Sequence, residues 1–84
     1  MADISREKLE SRMLGLLEEV CESDAVLSHR DEDLFALGLL DSMAAVELLV
    51  RIEDDFGVSI APTEVARTEM NTVNLIISQV EARL

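Results

Sequence analysis

The stretch Gly38-Leu39-Leu40-Asp41-Ser42-Met43 lies where a glycine-containing loop meets a segment of regularly spaced apolar residues. Asp and Ser often cap helix N-termini, and the apolar residues that follow recur at helical spacing. The sequence therefore predicts a helix from Ser42 to about Phe56, ended by Gly57 as a C-cap glycine. The predicted apolar face holds Met43, Val46, Leu49, Val50 and Phe56, and the face largely opposite holds Glu47, Arg51, Asp54 and Asp55.

Ser42 would stand at the start of this helix, with its hydroxyl exposed. The first turn of a helix has backbone N–H groups without intrahelical partners and carries the positive end of the helix dipole. A phosphate ester on Ser42 would be well accommodated there. The ordinary alternative is that Asp41 and Ser42 serve only as helix caps, and their position alone does not decide between the two.

Length and composition limit the possible functions. The 84 residues allow one modest core, so we expect a single domain over residues 1–84. Phe35 and Phe56 are the only aromatic residues, and the net charge is −11. Nucleic-acid binding is therefore disfavoured, because it needs clustered cations and often stacked aromatic rings. Docking onto basic surfaces of other proteins is favoured.

The first half of the chain predicts one long helix and an ordered loop. The helix runs from about Ile4 to Cys21, with Asp3 as its cap, and its apolar stripe holds Leu9, Met13, Leu16, Leu17 and Val20. A polar stretch from Glu22 to Asp33 follows. We expect this long loop to be held over the core by Val26, Leu27, Leu34, Phe35 and Leu37.

The chain after Gly57 predicts an extended loop and two more helices. Val58-Ser59-Ile60 is too short for an isolated strand, and Pro62 and Thr63 open a short helix from Glu64 to about Thr68. Asn71-Thr72 caps a last helix, whose apolar stripe holds Val73, Ile76, Ile77, Val80 and Leu84. The fold class is all-α: an antiparallel bundle of three main helices plus one short helix, with a long first loop.

Independent catalysis and metal binding are not favoured. His29, the only histidine, lies in a charged loop, and the sequence places no general base beside Ser42. An EF-hand loop beginning at Asp31 fails, because its sixth and twelfth places hold Ala36 and Ser42 instead of Gly and Glu. Cys21 is the only cysteine, so an internal disulfide is impossible, and an inert, buried thiol is expected.

No signal peptide or long apolar stretch is apparent. The sequence therefore favours a cytoplasmic protein that does not insert into membranes.

The pattern Leu34-Phe35-x-x-Gly38-Leu39-Leu40-Asp41-Ser42-Met43 resembles the prosthetic-group site of acyl and peptidyl carrier proteins. The similarity extends over nearly the whole chain, including the long first loop and the short third helix. It implies that Ser42, with Asp41 beside it, is the attachment site of 4′-phosphopantetheine, donated from coenzyme A by a phosphopantetheinyl transferase. It further implies that Ser42 combines attachment with capping, and that the thiol of the arm carries an acyl or aminoacyl group as a thioester.

Within this family the second half of the chain is most similar to the D-alanine carriers of teichoic-acid alanylation. The matching stretches are Asp41-Ser42-Met43-x-x-Val46-Glu47-Leu48, Thr63-Glu64-x-x-Arg67-x-Glu69 and Asn71-Thr72-x-Asn74-x-Ile76-Ile77. The pattern departs from that subfamily at Ala44-Ala45, Val65 and Met70, so a stand-alone carrier in a polyketide or nonribosomal peptide pathway stays open. A small acidic interaction module without a prosthetic group is the alternative from another class.

A carrier must be recognised by several enzymes in turn: the transferase, an ATP-dependent activating ligase and a downstream acyltransferase. We expect Leu40, Met43 and Val46 to be partly exposed apolar contacts beside Ser42, ringed by Glu47, Glu53 and Asp54. For Val46, core packing is the ordinary interpretation, because it lies on the apolar stripe. Glu47 is also placed to pair with Arg51 one turn later. A monomer is the natural state for such a shuttle.

Overall fold

The structure is a computed structural model that describes residues 5–84, apart from the side chain of Arg67. Three α-helices, α1 (Arg6–Cys21), α2 (Ser42–Phe56) and α3 (Val73–Glu81), are accompanied by two 3₁₀ helices, Asp24–Leu27 and Arg67–Glu69. No strand occurs among these residues. The all-α prediction is confirmed, and Val58-Ser59-Ile60 forms a loop and not a strand.

Helix α1 is capped by Ser5, whose hydroxyl accepts a hydrogen bond from the Lys8 N–H at 3.2 Å. The helix therefore begins at Arg6, later than the predicted Ile4, and the predicted cap Asp3 lies outside the described residues. At the other end Glu22 adopts a left-handed conformation with φ 53° and terminates the helix. The whole predicted stripe of α1 is buried: Leu9, Met13, Leu16, Leu17 and Val20.

The long first loop is ordered by a 3₁₀ helix and by bonds to α3. The Leu34 N–H donates to the Asn71 carbonyl at 2.8 Å, and the Asn74 N–H donates to the Arg30 carbonyl at 3.1 Å. Val26 and Leu34 are fully buried, as predicted, and Phe35 is half-buried. The prediction is wrong for Leu27 and Leu37, which are 45% and 40% exposed, because the turns of this loop place Val26 and Leu34 in the core instead.

The face of helix α2 that packs on the core agrees only in part with the predicted one. Leu49 and Phe56 pack against the core as predicted, but the fully buried residues are Leu48 and Ile52, and Met43, Val46 and Val50 are exposed. Apolar residues surround most of this helix, so a second stripe of equal regularity was available: Ala45, Leu48, Leu49, Ile52 and Phe56. Packing of α2 against α1 selects that second stripe. Gly57 ends the helix as predicted, with φ 69° and its N–H bonded to the Glu53 carbonyl.

The predicted short helix between α2 and α3 is present as a 3₁₀ helix, with bounds later than the predicted Glu64–Thr68. The segment makes a turn at residues 62–64 and then the 3₁₀ helix Arg67–Glu69. The Glu64 carboxylate accepts from the Ala61 N–H and the Glu69 carboxylate accepts from the Ala66 N–H, both at 2.8 Å. Each carboxylate accepts a hydrogen bond from a backbone N–H three residues earlier and so closes a local turn. The segment therefore consists of two short turns.

Helix α3 is capped by Thr72, whose Oγ1 accepts from the Leu75 N–H at 3.1 Å. Its predicted stripe of Val73, Ile76, Ile77 and Val80 is completely buried. Leu84 is 49% exposed, contrary to the prediction, because the helix ends at Glu81 and the helical spacing no longer applies beyond it. Helix α1 packs against both α2 and α3, so all three helices contribute to one aliphatic core.

Candidate functional site

The loop before α2 is folded tightly enough to fix where the helix begins. The Leu34 carbonyl accepts hydrogen bonds from the N–H groups of both Leu39 and Leu40, at 2.9 and 3.1 Å. Gly38 adopts φ 77°, a left-handed conformation that favours glycine, and its N–H donates to the Phe35 carbonyl. Leu34 and Leu40 are buried, so backbone and side chains of this loop are both anchored.

Asp41 is the N-cap of α2. Its backbone is extended, and its carboxylate Oδ1 accepts a hydrogen bond from the Ala44 N–H at 2.8 Å. Capping is therefore done by Asp41, and the prediction that Ser42 combines attachment with capping is wrong on this point. The carboxylate accepts a hydrogen bond from one of the first-turn N–H groups that have no intrahelical partner. Its negative charge interacts favourably with the positive end of the helix dipole.

Ser42 is the first residue of α2, and it is exposed. Because Asp41 caps the helix, Ser42 has no capping role, and it lies among the residues that line a groove. The first turn of α2 supplies N–H groups and a partial positive charge beside it. A phosphodiester attached here would find a suitable electrostatic environment.

A groove of about 240 Å³ opens beside Ser42 between α2 and the segment that leads to α3. Its wall on the α2 side includes Ala45, Val46 and Leu49, and its opposite wall includes Pro62, Val65 and Met70. The side chains that line it are almost wholly apolar, and Ser42 lies at its edge. A group bonded to Ser42 thus has solvent on one side and an aliphatic surface on the other. The groove residues were not predicted as site residues, since they come together only through the tertiary fold.

The outer surface of α2 carries an exposed apolar stripe. Met43 is 85% exposed, Val46 54% and Val50 53%. Their spacing of three and four residues places them in one line that begins next to Ser42. Met43 and Val46 are thus accessible, and the core interpretation of Val46 is wrong. Val50 extends the stripe by one turn. It was not predicted as a docking residue, although the same helical spacing in the sequence indicates it.

Leu40, the third predicted apolar contact, is only 4% exposed and belongs to the core. Its N–H is bonded to the Leu34 carbonyl, which draws the side chain inward. The prediction that Leu40 is a partly exposed docking residue is therefore wrong.

Acidic side chains surround the exposed stripe. Glu47, Glu53 and Asp54 are all exposed, as their predicted role requires. The cation nearest to them on the helix is Arg51, which hydrogen-bonds Glu19 of α1 and lies 3.9 Å from the Glu47 carboxylate. The hydrogen bond to Glu19 is the main reason why the pKa of Arg51 is raised above its ordinary value. Arg51 is therefore a permanent cation within an acidic surface.

The other candidate reactive groups have local roles. The Nδ1 atom of His29 lies 2.6 Å from the Glu32 carboxylate within the first loop, so this ring interacts with its own segment. The Cys21 thiol is partly buried, and desolvation raises its pKa, which disfavours the nucleophilic thiolate. Within residues 5–84 no cluster of three His, Cys, Asp or Glu side chains is arranged to hold a metal ion.

None of the helices in the described part of the chain is both long and apolar enough to cross a membrane.

Comparison with known proteins agrees with this geometry. The family model for the phosphopantetheine attachment site matches residues 11–80. The D-alanyl carrier protein of Abiotrophia defectiva is 43% identical over 76 residues, which cover 90% of this chain and 96% of that protein. The D-alanyl carrier protein of Bacillus velezensis is 44% identical over 72 residues, or 86% of this chain and 92% of that protein.

A third relative, the D-alanyl carrier protein of Listeria monocytogenes, is 43% identical over 70 residues, which cover 83% of this chain and 90% of that protein. Family model and relatives both span the loop, the first turn of α2 and the groove. The chain therefore belongs to the family of carrier proteins with a phosphopantetheine attachment site, among the D-alanyl carrier proteins.

Proposed function

We propose that this protein carries D-alanine as a thioester on a 4′-phosphopantetheine arm attached to Ser42, from an ATP-dependent ligase to an acceptor enzyme. The observation that carries the proposal is the division of tasks at the start of α2: Asp41 caps the helix, and Ser42 presents an exposed hydroxyl. The D-alanyl carrier relatives support the choice of cargo.

The prosthetic group of this family is a covalently attached 4′-phosphopantetheine. When bound, it supplies a terminal thiol that forms a thioester with the carried group. Attachment requires the Ser42 oxygen to attack the β-phosphorus of coenzyme A. A phosphodiester bond forms, the pyrophosphate bond breaks and adenosine 3′,5′-bisphosphate leaves, while the hydroxyl proton passes to a base of the transferase.

The residues around Ser42 fit this group. The N-terminus of α2 favours the negative charge of the phosphodiester, and the apolar groove offers a surface for aliphatic portions of the arm. Asp41 fixes the first turn of α2 and thereby positions Ser42 at the start of the helix. This chain contributes only the Ser42 hydroxyl to the reaction. The catalytic groups belong to its partner enzymes.

Recognition by those partners is proposed to use the stripe of Met43 and Val46 with the surrounding carboxylates of Glu47, Glu53 and Asp54. Apolar side chains at the centre with charges at the rim are typical of transient interfaces. The net charge of −11 steers association with basic partner surfaces. The transferase, the D-alanine-activating ligase and the acceptor acyltransferase would each dock briefly on this face. Loading takes place in the cytoplasm under this proposal, because coenzyme A and ATP are both available there.

Intact-protein mass spectrometry tests the proposal. The apo protein is incubated with coenzyme A and a broad-specificity phosphopantetheinyl transferase, and then with ATP, a D-alanine-activating ligase and D-alanine. One phosphopantetheine per chain followed by one alanyl group is the expected result. Ser42→Ala serves as the control: it should keep the helical circular dichroism spectrum and gain neither group.

Two other outcomes would contradict the proposal. Addition of the arm without alanine, but with loading of another amino acid or acyl group by its own ligase, would assign the chain to a natural-product pathway. No addition at all to the wild-type chain would leave Ser42 as an ordinary helix residue of an acidic interaction module.

A further inference from the structure

Arg51 lies between two carboxylates that belong to different parts of the molecule. Its Nη2 hydrogen-bonds the Glu19 carboxylate of α1, while its Nη1 lies 3.9 Å from the Glu47 carboxylate on its own helix. Only the first of these contacts is within hydrogen-bonding distance. Arg51 is about one-third exposed, whereas Glu19 and Glu47 are mostly exposed.

The sequence alone favours the other pairing. Glu47 and Arg51 are four residues apart on α2 with the glutamate on the N-terminal side, which is the better orientation for an intrahelical ion pair. Asp55 also lies one turn from Arg51, but with the cation on the N-terminal side, which is the poorer orientation. Glu47 would therefore be the default partner of Arg51 if α1 did not supply Glu19.

We propose that Glu19 is a positioning residue for partner docking: by hydrogen-bonding Arg51 from α1, it keeps the ion pair between Arg51 and Glu47 long and weak, so that the Glu47 carboxylate is available to a basic partner. This inference rests on the proposed function, since it assigns Glu47 to the docking surface. Glu19 itself lies on another helix and need not touch the partner. Its effect is to weaken the pairing of Arg51 with the acidic rim beside the Met43 and Val46 stripe.

The charges of Glu19, Arg51 and Glu47 determine how a change at Glu19 should affect partner binding. When Glu19 holds Arg51, the ion pair between Arg51 and Glu47 stays long, at 3.9 Å and without a hydrogen bond, so it only partly offsets the Glu47 charge. When Glu19 is neutral, Arg51 moves closer to Glu47 and offsets more of the charge that Glu47 presents to the partner. Charges at an interface rim act mainly on the association rate and on its dependence on salt. The loss should therefore appear in the KM for the carrier and leave kcat unchanged.

The test measures KM and kcat of a phosphopantetheinyl transferase for the apo carrier, with coenzyme A saturating and at low ionic strength. Glu19→Gln is expected to raise KM by about twofold to threefold, in the range typical of single rim charges. The matched control is Glu18→Gln, which removes the same charge from the neighbouring exposed position of α1. It should change KM clearly less than Glu19→Gln does.

Suppression by a second substitution separates this role from a general loss of charge. Arg51→Gln removes the cation, so the double variant Glu19→Gln/Arg51→Gln should have a KM no higher than that of the wild type. A KM defect that persists in the double variant would overturn the proposal, as would equal effects of Glu18→Gln and Glu19→Gln.

The NMR signal of the Arg51 Nε–H group reports the pairing without any partner. In the wild type, the Glu47→Gln substitution should leave the Arg51 signal nearly unchanged. In the Glu19→Gln background, the same Glu47→Gln substitution should shift the Arg51 signal. The same response in both backgrounds would overturn the proposed competition. If the wild-type chain accepted no phosphopantetheine, the proposed function would fail, while the NMR experiment would still decide the pairing.

Discussion

The Asp41 carboxylate accepts a hydrogen bond from the Ala44 N–H at 2.8 Å, and this contact sets the first turn of α2. Replacing Asp41 with Ala removes the cap and should lower the free energy of unfolding by about 1 kcal/mol. Asp41→Asn keeps a side-chain oxygen and should cost clearly less. Urea denaturation followed by circular dichroism measures both, and equal stability of Asp41→Ala and the wild type would contradict the assigned cap.

Leu40 and Leu37 offer a matched pair in the same loop, since one is 4% exposed and the other 40%. Leu40→Ala should lower the free energy of unfolding by about 2–4 kcal/mol, as buried Leu-to-Ala changes do. Leu37→Ala should change it by much less, because more of its side chain already contacts water. Similar losses in the two variants would show that Leu40 is not a core residue.

Val46 and Leu48 differ by two positions in α2 but lie on opposite sides of the core boundary. Val46→Ser should leave the free energy of unfolding within about 0.5 kcal/mol of the wild type, because the residue is exposed. It should nevertheless raise the KM of the loading ligase for the holo carrier. Leu48→Ala should do the reverse: it should destabilise the fold by about 2–4 kcal/mol and, where folded, keep the KM. A Val46→Ser variant with unchanged KM would remove this residue from the docking surface.

The charge on Glu47 gives a prediction about salt. Glu47→Lys should slow partner reactions at low ionic strength without unfolding the domain, because it reverses a rim charge on the proposed docking face. The difference from the wild type should shrink as salt is added, since exposed charges are screened within about 8 Å at physiological ionic strength. Rates measured across a salt series check this, and identical kinetics at low salt would contradict it.

Glu10 gives a prediction about pH. The hydrogen bond from Arg30 is the largest effect on the pKa of Glu10 and lowers it; desolvation, the second largest, raises it, and the hydrogen bond from Arg6 lowers it further, so the pKa is lowered overall. A carboxylate with a lowered folded-state pKa stabilises the fold above its unfolded pKa and loses that contribution as pH falls through the folded value. Wild type should therefore exceed Glu10→Gln in stability at neutral pH.

That difference should diminish as pH falls from about 4.5, the ordinary pKa of the group, through its lower value in the folded state. Thermal unfolding at a series of pH values measures it. Glu18→Gln, an exposed position on the same helix, is the control. A gap between wild type and Glu10→Gln that persisted below both pKa values would show that the ion pairs with Arg30 and Arg6 are not its cause.

Local signals in the sequence predicted the helices well. Caps such as Thr72 and Gly57 act within a few residues, and the stripes of α1 and α3 each have one clear apolar phase. Helix α2 was predicted with a face that is only partly right, because its apolar residues surround most of the helix and two phases fit equally. Only the contact with α1 chooses between them. Because the other phase packs on α1, Met43, Val46 and Val50 are left exposed, and this stripe lies beside Ser42.

The site itself was predictable in part. Ser42 and Asp41 lie in one short motif, so the sequence located them, although it did not show which of the two caps the helix. The groove was not predictable, because Ala45, Val65 and Met70 are distant in sequence and meet only through the turns between α2 and α3. Leu40 was misplaced for a similar reason: the Leu34 carbonyl that draws it inward belongs to a loop without helical periodicity.

The bond between the Leu34 N–H and the Asn71 carbonyl has a consequence for biosynthesis. The loop that presents Ser42 is completed by a group far later in the chain, and α3, which follows that group, closes the core beneath it. A growing polypeptide that has passed the serine but not yet emerged as far as α3 lacks this support. The Ser42 hydroxyl therefore reaches its final setting only after Asn71 and α3 have been synthesised and folded, so a transferase that reads the folded face modifies the chain only after that point.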